Sequence, residues 1–128
     1  ENSLLELVSH FKKHFELNKN IEGVIFRKNK LLSKLKERKL ENNLDKFGFP
    51  DYKDVNLKDY LNHKTLEVEW SRGCISDCAF CGIKAINGFY RYKSAETRMA
   101  EIEYHYKKNN IRYFSITDST INGNINGI

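Results

Sequence analysis

An alternating run at residues 65–71 feeds straight into a loop holding Cys74, Cys78 and Cys81, and the chain has no other cysteine. The loop reads Arg72-Gly73-Cys74-Ile75-Ser76-Asp77-Cys78-Ala79-Phe80-Cys81-Gly82. Three thiolates this close in sequence can face one point in space. Four ligands close a structural zinc site or fully ligate an iron-sulfur cube, so three leave a metal position open, and open positions do chemistry.

The surrounding pattern sets where that loop sits. Leu66, Val68 and Trp70 alternate with Thr65, Glu67 and Glu69, which predicts a strand with one buried face. After a loop through Tyr92, Ser94 is placed to cap a helix with Glu96 in its first turn, Lys107 and Lys108 in its last, and Asn109-Asn110 as its stop. Ala95, Met99, Ile102 and Tyr106 are the expected buried stripe, and residues 111–117 read as a second strand. Residues 65–117 thus form an expected β-loop-α-β unit of the α/β class, with parallel strands and a right-handed crossover.

Ligands in such folds bind where loops leave the carboxyl ends of the strands. Two loops leave there. One carries the cysteines; the other is Asp118-Ser119-Thr120-Ile121-Asn122-Gly123-Asn124, where the next helix is expected to begin, and Asp118 could serve simply as its cap.

Upstream, residues 1–43 read as a mixed α/β extension. Leu4, Leu7, Val8, Phe11 and Phe15 recur at helical spacing over residues 3–16, with Asn2 or Ser3 as cap. Residues 21–27 read as a short β-rich run, followed by a basic segment expected to form a hairpin and then a helix. The densest charge patch follows at residues 27–39, where Arg27, Lys28, Lys30, Lys34, Lys36, Arg38 and Lys39 meet only Glu37 in opposition. Nucleic-acid contact there is conceivable, but the reading adopted is the solvent face of a helix with Leu31, Leu32, Leu35 and Leu40 turned inward. Residues 44–64, with Gly48, the only proline at Pro50, and Tyr52 and Tyr60, read as a linker packed over residues 65–128.

A length of 128 residues suits one domain. The net charge of +5 comes mainly from residues 1–64, away from the cysteines. An odd, clustered cysteine count argues against a disulfide framework and for metal ligation in a reducing compartment. With no membrane-length apolar run and no leader pattern, the expected address is cytoplasmic and no membrane partner is expected.

The Cys-x3-Cys-x2-Cys spacing, with Phe80 before the last cysteine, resembles the signature of the radical S-adenosylmethionine (radical SAM) enzymes. The resemblance implies that Cys74, Cys78 and Cys81 hold three irons of a [4Fe-4S] cluster, with the fourth chelated by S-adenosylmethionine. It implies reductive cleavage to a 5'-deoxyadenosyl radical, fed by a reductant such as flavodoxin or ferredoxin. Phe80 would pack near the adenine, and Gly73 would permit close backbone approach. Many members carry Gly-Gly-Glu on the second loop, whereas this chain has Thr117-Asp118-Ser119, so Asp118 and Ser119 become the implied acceptors for the methionyl amine.

The match extends to radical SAM proteins with an upstream cobalamin-binding domain, on Leu44-Asp45, Phe49-Pro50-Asp51-Tyr52, Tyr60, Arg72-Gly73-Cys74, Tyr90-Arg91 and residues 118–124. It implies that residues 1–43 are the tail of that domain and that residues 65–128 open a partial (β/α)6 barrel. Barrels of this kind take about 200 residues or more, so the chain reads as a fragment. The full-length protein would then be a transferase methylating or rearranging an unknown substrate, with cobalamin bound outside these residues. Two alternatives stand beside this: a radical SAM methylthiotransferase acting on RNA, and a non-enzymatic zinc module completed by His63 or His105. An electron-transfer cluster with a distant fourth ligand is a further option.

Overall fold

A computed structural model describes residues 1–15, 20–28 and 30–124, and the chain divides into two compact units, 1–40 and 41–128. In the first unit, α1 (Asn2–His14) gathers Lys12, Lys13 and His14 in its last turn, where cations suit the carbonyl end of the helix. Phe15 then turns left-handed at φ 54° and its N–H donates to the Phe11 carbonyl at 2.8 Å, which stops the helix. The expected end at residue 16 lies outside the described residues. Neither Asn2 nor Ser3 caps: Glu1 holds that position, and the Ser3 hydroxyl donates to the Glu22 carbonyl at 2.7 Å instead.

The basic segment keeps the expected hairpin but not the helix after it. It forms an antiparallel hairpin of β1 (Arg27–Lys28) and β2 (Leu31–Leu32), followed by chain without regular structure, and Leu31, Leu32, Leu35 and Leu40 are exposed. A helix there would stack Lys30 on Lys34 and Lys34 on Arg38, and each like-charged i,i+4 pair costs about 0.2–0.5 kcal/mol. The hairpin takes Lys30 out of that stack by placing it in the turn at φ 68°. Of the β-rich run at 21–27, only Arg27 enters a strand, while Gly23 turns the chain at φ 77°.

The second unit is a small mixed α/β assembly. β3 (Thr65–Val68) alternates as predicted, burying Leu66 and Val68. The alternation carries on to the half-buried Trp70 and breaks at the buried Ser71, where β4 (Ser71–Arg72) turns away to pair antiparallel with β5 (Arg91–Tyr92). Between them lies α2 (Ile83–Asn87), a short helix where the sequence predicts a loop. α3 (Ala95–Lys108) begins at Ser94, whose hydroxyl accepts the Thr97 N–H at 3.2 Å, and ends at Asn109. β6 (Tyr113–Ile116) returns parallel to β3, pairing Thr65 with Tyr113 and Val68 with Ile116.

Leu66, Val68 and Ile111 form the core, with Tyr52, Leu57, Trp70 and Phe114 packed against it. The segment before β3 contains two short 3-10 turns, Leu44–Phe47 and Leu57–Asp59, each capped by an asparagine side chain. Asp45 accepts the Ser94 N–H at 2.8 Å and Asp51 accepts the Tyr104 hydroxyl at 3.1 Å, so this segment is tied to α3 at both ends.

The buried face of α3 is not the expected stripe. Glu101 and His105 are buried, at 2% and 0% exposure, whereas Met99 and Tyr106 are 61% and 51% exposed. Glu101 is acceptable inside because its Oε2 accepts from Trp70 Nε1 at 3.1 Å and from Lys93 Nζ at 3.3 Å. Buried charge is tolerated where it is paired and hydrogen-bonded. No helix forms over residues 118–124, which run as bends and turns.

Candidate metal centre

The cysteine loop is built on a clamped base. Backbone pairing of β4 with β5 and the Lys93 N–H bond to the Trp70 carbonyl at 2.8 Å bring its two ends together. Gly73 sits at φ +80°, where an added Cβ would lie 2.3 Å from the Phe89 carbonyl oxygen, so the predicted close backbone approach is real and excludes any side chain. The buried Arg91 guanidinium donates to the carbonyls of Asn87, Phe89 and Glu41, the last at 2.9 Å. Three backbone acceptors on one cation hold the returning segment.

Within this frame Cys74 is half-buried, and Cys78 and Cys81 are exposed on a tight turn closed by the Cys81 N–H to the Cys78 carbonyl at 3.0 Å. Phe80, at the apex of that turn, is 93% exposed. Lys84 pairs with Asp77 at 3.2 Å beside it. Among the described residues, no three His, Cys, Asp or Glu side chains are gathered closely enough to hold a metal ion. The three thiols share a loop without converging. Ligand convergence is commonly coupled to metal binding itself.

The second loop is stitched to the first. Asp118 Oδ1 accepts the Trp70 N–H at 2.8 Å, Thr117 N–H donates to the Val68 carbonyl at 3.0 Å, and the buried Ser71 hydroxyl donates to the Thr120 carbonyl at 3.2 Å. Gly123 lies against the Tyr90 ring, where an added Cβ would come within 2.5 Å of it. Thr120 Oγ1 then meets Cys74 Sγ at 3.0 Å. That bond, followed by the Ser76 N–H, lowers the Cys74 thiol below its ordinary pKa, since both donors favour the thiolate. Ser119, next to Asp118, is exposed.

Thr120, Ser71 and Arg91's carbonyl partners were not singled out as functional by sequence reasoning. Thr120 and Cys74 are 46 residues apart, and no local pattern announces such a pair. His63 and His105 lie at the opposite edge: His63 is in the turn entering β3, and the His105 carbonyl accepts the Ile111 N–H just before β6. Neither stands beside the cysteine loop.

Comparison with known proteins gives a distant likeness. The chain is 23% identical over 121 residues, 92% of its length, to the anaerobic magnesium-protoporphyrin IX monomethyl ester cyclase of Synechocystis sp.. It spans about a quarter (24%) of that protein. No protein-family profile and no solved structure matches the chain.

Proposed function

We propose that Cys74, Cys78 and Cys81 hold a [4Fe-4S] cluster with one iron left for S-adenosylmethionine, in an enzyme of the radical SAM kind. The observation that carries this reading is the junction of the two loops at the carboxyl end of the β3–β6 pair, where Cys74 meets Thr120. The donor set fits such a group: three soft thiols and no fourth ligand on the loop. The likeness to the Synechocystis cyclase supports the superfamily at most, and that protein's substrate is not carried over.

When bound, the cluster would supply the electron that cleaves the sulfonium of S-adenosylmethionine. The chain's own residues supply placement and exclusion. Gly73 lets the loop pack on the Gly88-Phe89 backbone, which fixes where Cys74 emerges. Phe80, exposed on the Cys78–Cys81 turn, offers a ring face for the adenine. Asp118 Oδ1 accepts the Trp70 N–H, which leaves Oδ2 as the acceptor proposed for the methionyl amine, and Ser119, the exposed next residue, is proposed as the second. A reductant such as flavodoxin or ferredoxin would reduce the site, and cobalamin-dependent methylation of an unidentified substrate is the outcome proposed for the full-length enzyme.

The zinc alternative has no histidine at the right edge, and nothing favours RNA methylthiolation. Electron paramagnetic resonance of the reduced, reconstituted full-length protein tests the reading. Addition of S-adenosylmethionine should change the cluster's spectrum, as a ligand on one iron must; an unchanged spectrum at saturating cosubstrate would refute the open-iron assignment.

A further inference from the structure

The three cysteines are not equivalent. Among the described residues, Cys74 alone of the three takes hydrogen bonds on sulfur, from Thr120 Oγ1 at 3.0 Å and from Ser76 N at 3.4 Å. The Ser76 donor is local to the loop, two residues on. The Thr120 donor comes from the other loop and is held in place from both sides. Its carbonyl accepts from the buried Ser71 hydroxyl, and two residues earlier Asp118 is fixed by the Trp70 N–H. Against a thiolate, the threonine hydroxyl can act only as donor.

We infer that Thr120 is a positioning residue for Cys74 that raises the reduction potential of the group those thiolates hold. This rests on the cluster reading above. Reduction adds negative charge that spreads onto the sulfurs, and a donor aimed at a ligand sulfur stabilises the reduced form more than the oxidised one. Because Ser71 and Asp118 fix the backbone that carries it, the hydroxyl needs little reorganisation when that charge arrives. The same bond ties the metal loop to the loop proposed to bind the cosubstrate amine, so the two loops share one point of alignment.

The test is a redox titration of the reconstituted full-length protein, followed by electron paramagnetic resonance, with iron content measured in parallel. Thr120→Val removes the hydroxyl at nearly constant volume, Thr120→Ala removes the hydroxyl and the γ-methyl together, and Thr120→Ser keeps the hydroxyl while losing the methyl. The expected result is a lower midpoint potential in Val or Ala at full iron content, returned toward the wild-type value in Ser. Loss of iron from Val and Ala with full iron in Ser also supports the inference, since the hydroxyl is then needed to hold the group at all. Equal potentials in all four proteins overturn it, as does loss of iron from all three variants, since Thr120→Ser would then fail with the hydroxyl still present. Failure of the wild-type protein to assemble a cluster is a different result, and it refutes the cluster reading instead.

Discussion

Asp118 Oδ1 accepts the backbone N–H of Trp70 at 2.8 Å, joining the loop after the second parallel strand to the residue just before β4. The role this contact shows needs only an oxygen acceptor, whereas the role proposed for Asp118 toward the cosubstrate amine needs charge, so the two can be separated. Asp118→Asn keeps the acceptor and loses the charge, whereas Asp118→Ala loses both.

The asparagine variant should therefore denature closer to wild type than the alanine variant, which should lose about 1.5–3 kcal/mol, the usual range for a bond to a charged group. In the reconstituted full-length protein both should bind S-adenosylmethionine more weakly while retaining iron. Wild-type affinity in Asp118→Asn would confine Asp118 to its contact with Trp70.

The buried Lys93–Glu101 pair makes a second prediction. Replacing Glu101 by Leu strands the ammonium of Lys93 in the interior and removes the acceptor of the Trp70 indole. Breaking one side of such a pair costs about 3–5 kcal/mol, while replacing both partners with apolar residues is often near neutral. Urea denaturation of Glu101→Leu, Lys93→Met and the double variant should show large losses in the singles and recovery of most of that loss in the double.

His105 predicts a pH dependence. Burial holds its pKa below the ordinary 6.5, against the opposing pull of Glu101, the Pro50 carbonyl and Asp51. The unfolded chain therefore binds the proton more readily than the folded one, so the stability His105 contributes is present above pH 6.5 and is lost as pH falls below it. Wild type should lose more stability between pH 7.5 and pH 5.5 than His105→Gln does, by urea denaturation at each pH. Parallel losses in the two proteins would mean that other groups govern the acid limb.

Gly73→Ala predicts collapse of the loop base. The backbone there is at φ +80° and the new methyl would meet two carbonyl oxygens, of Phe89 and Gly88, at 2.3 and 2.6 Å. Neither is the end of a flexible side chain, so the strand ends must separate. Iron retention after reconstitution should fall to a small fraction of wild type, whereas Gly82→Ala, which meets only the Ile86 side chain at 4.0 Å, should retain it.

Much of the second unit could be read from local pattern. The Leu66 and Val68 alternation, the Ser94 cap and the Asn109 stop are written within a few residues of where they act, and they fix β3, α3 and the parallel return of β6. The inward face of α3 could not be read that way. Glu101 and Lys93 are buried because they neutralise each other and because Trp70, 31 residues from Glu101, supplies an indole N–H. Hydropathy assigns such residues to solvent. The five-residue α2 was hidden for a different reason: it is too short to establish a period. At the candidate site the three cysteines and their spacing were legible, but the Thr120 contact with Cys74 was not, since it spans 46 residues.

Quantifying iron, acid-labile sulfide and zinc in the full-length protein after anaerobic reconstitution tests the central claim most directly. The account predicts about four irons and four sulfides per chain, with charge-transfer absorption that is lost in Cys74→Ala, Cys78→Ala or Cys81→Ala. One zinc per chain with no such absorption, or iron that survives all three substitutions, would contradict it.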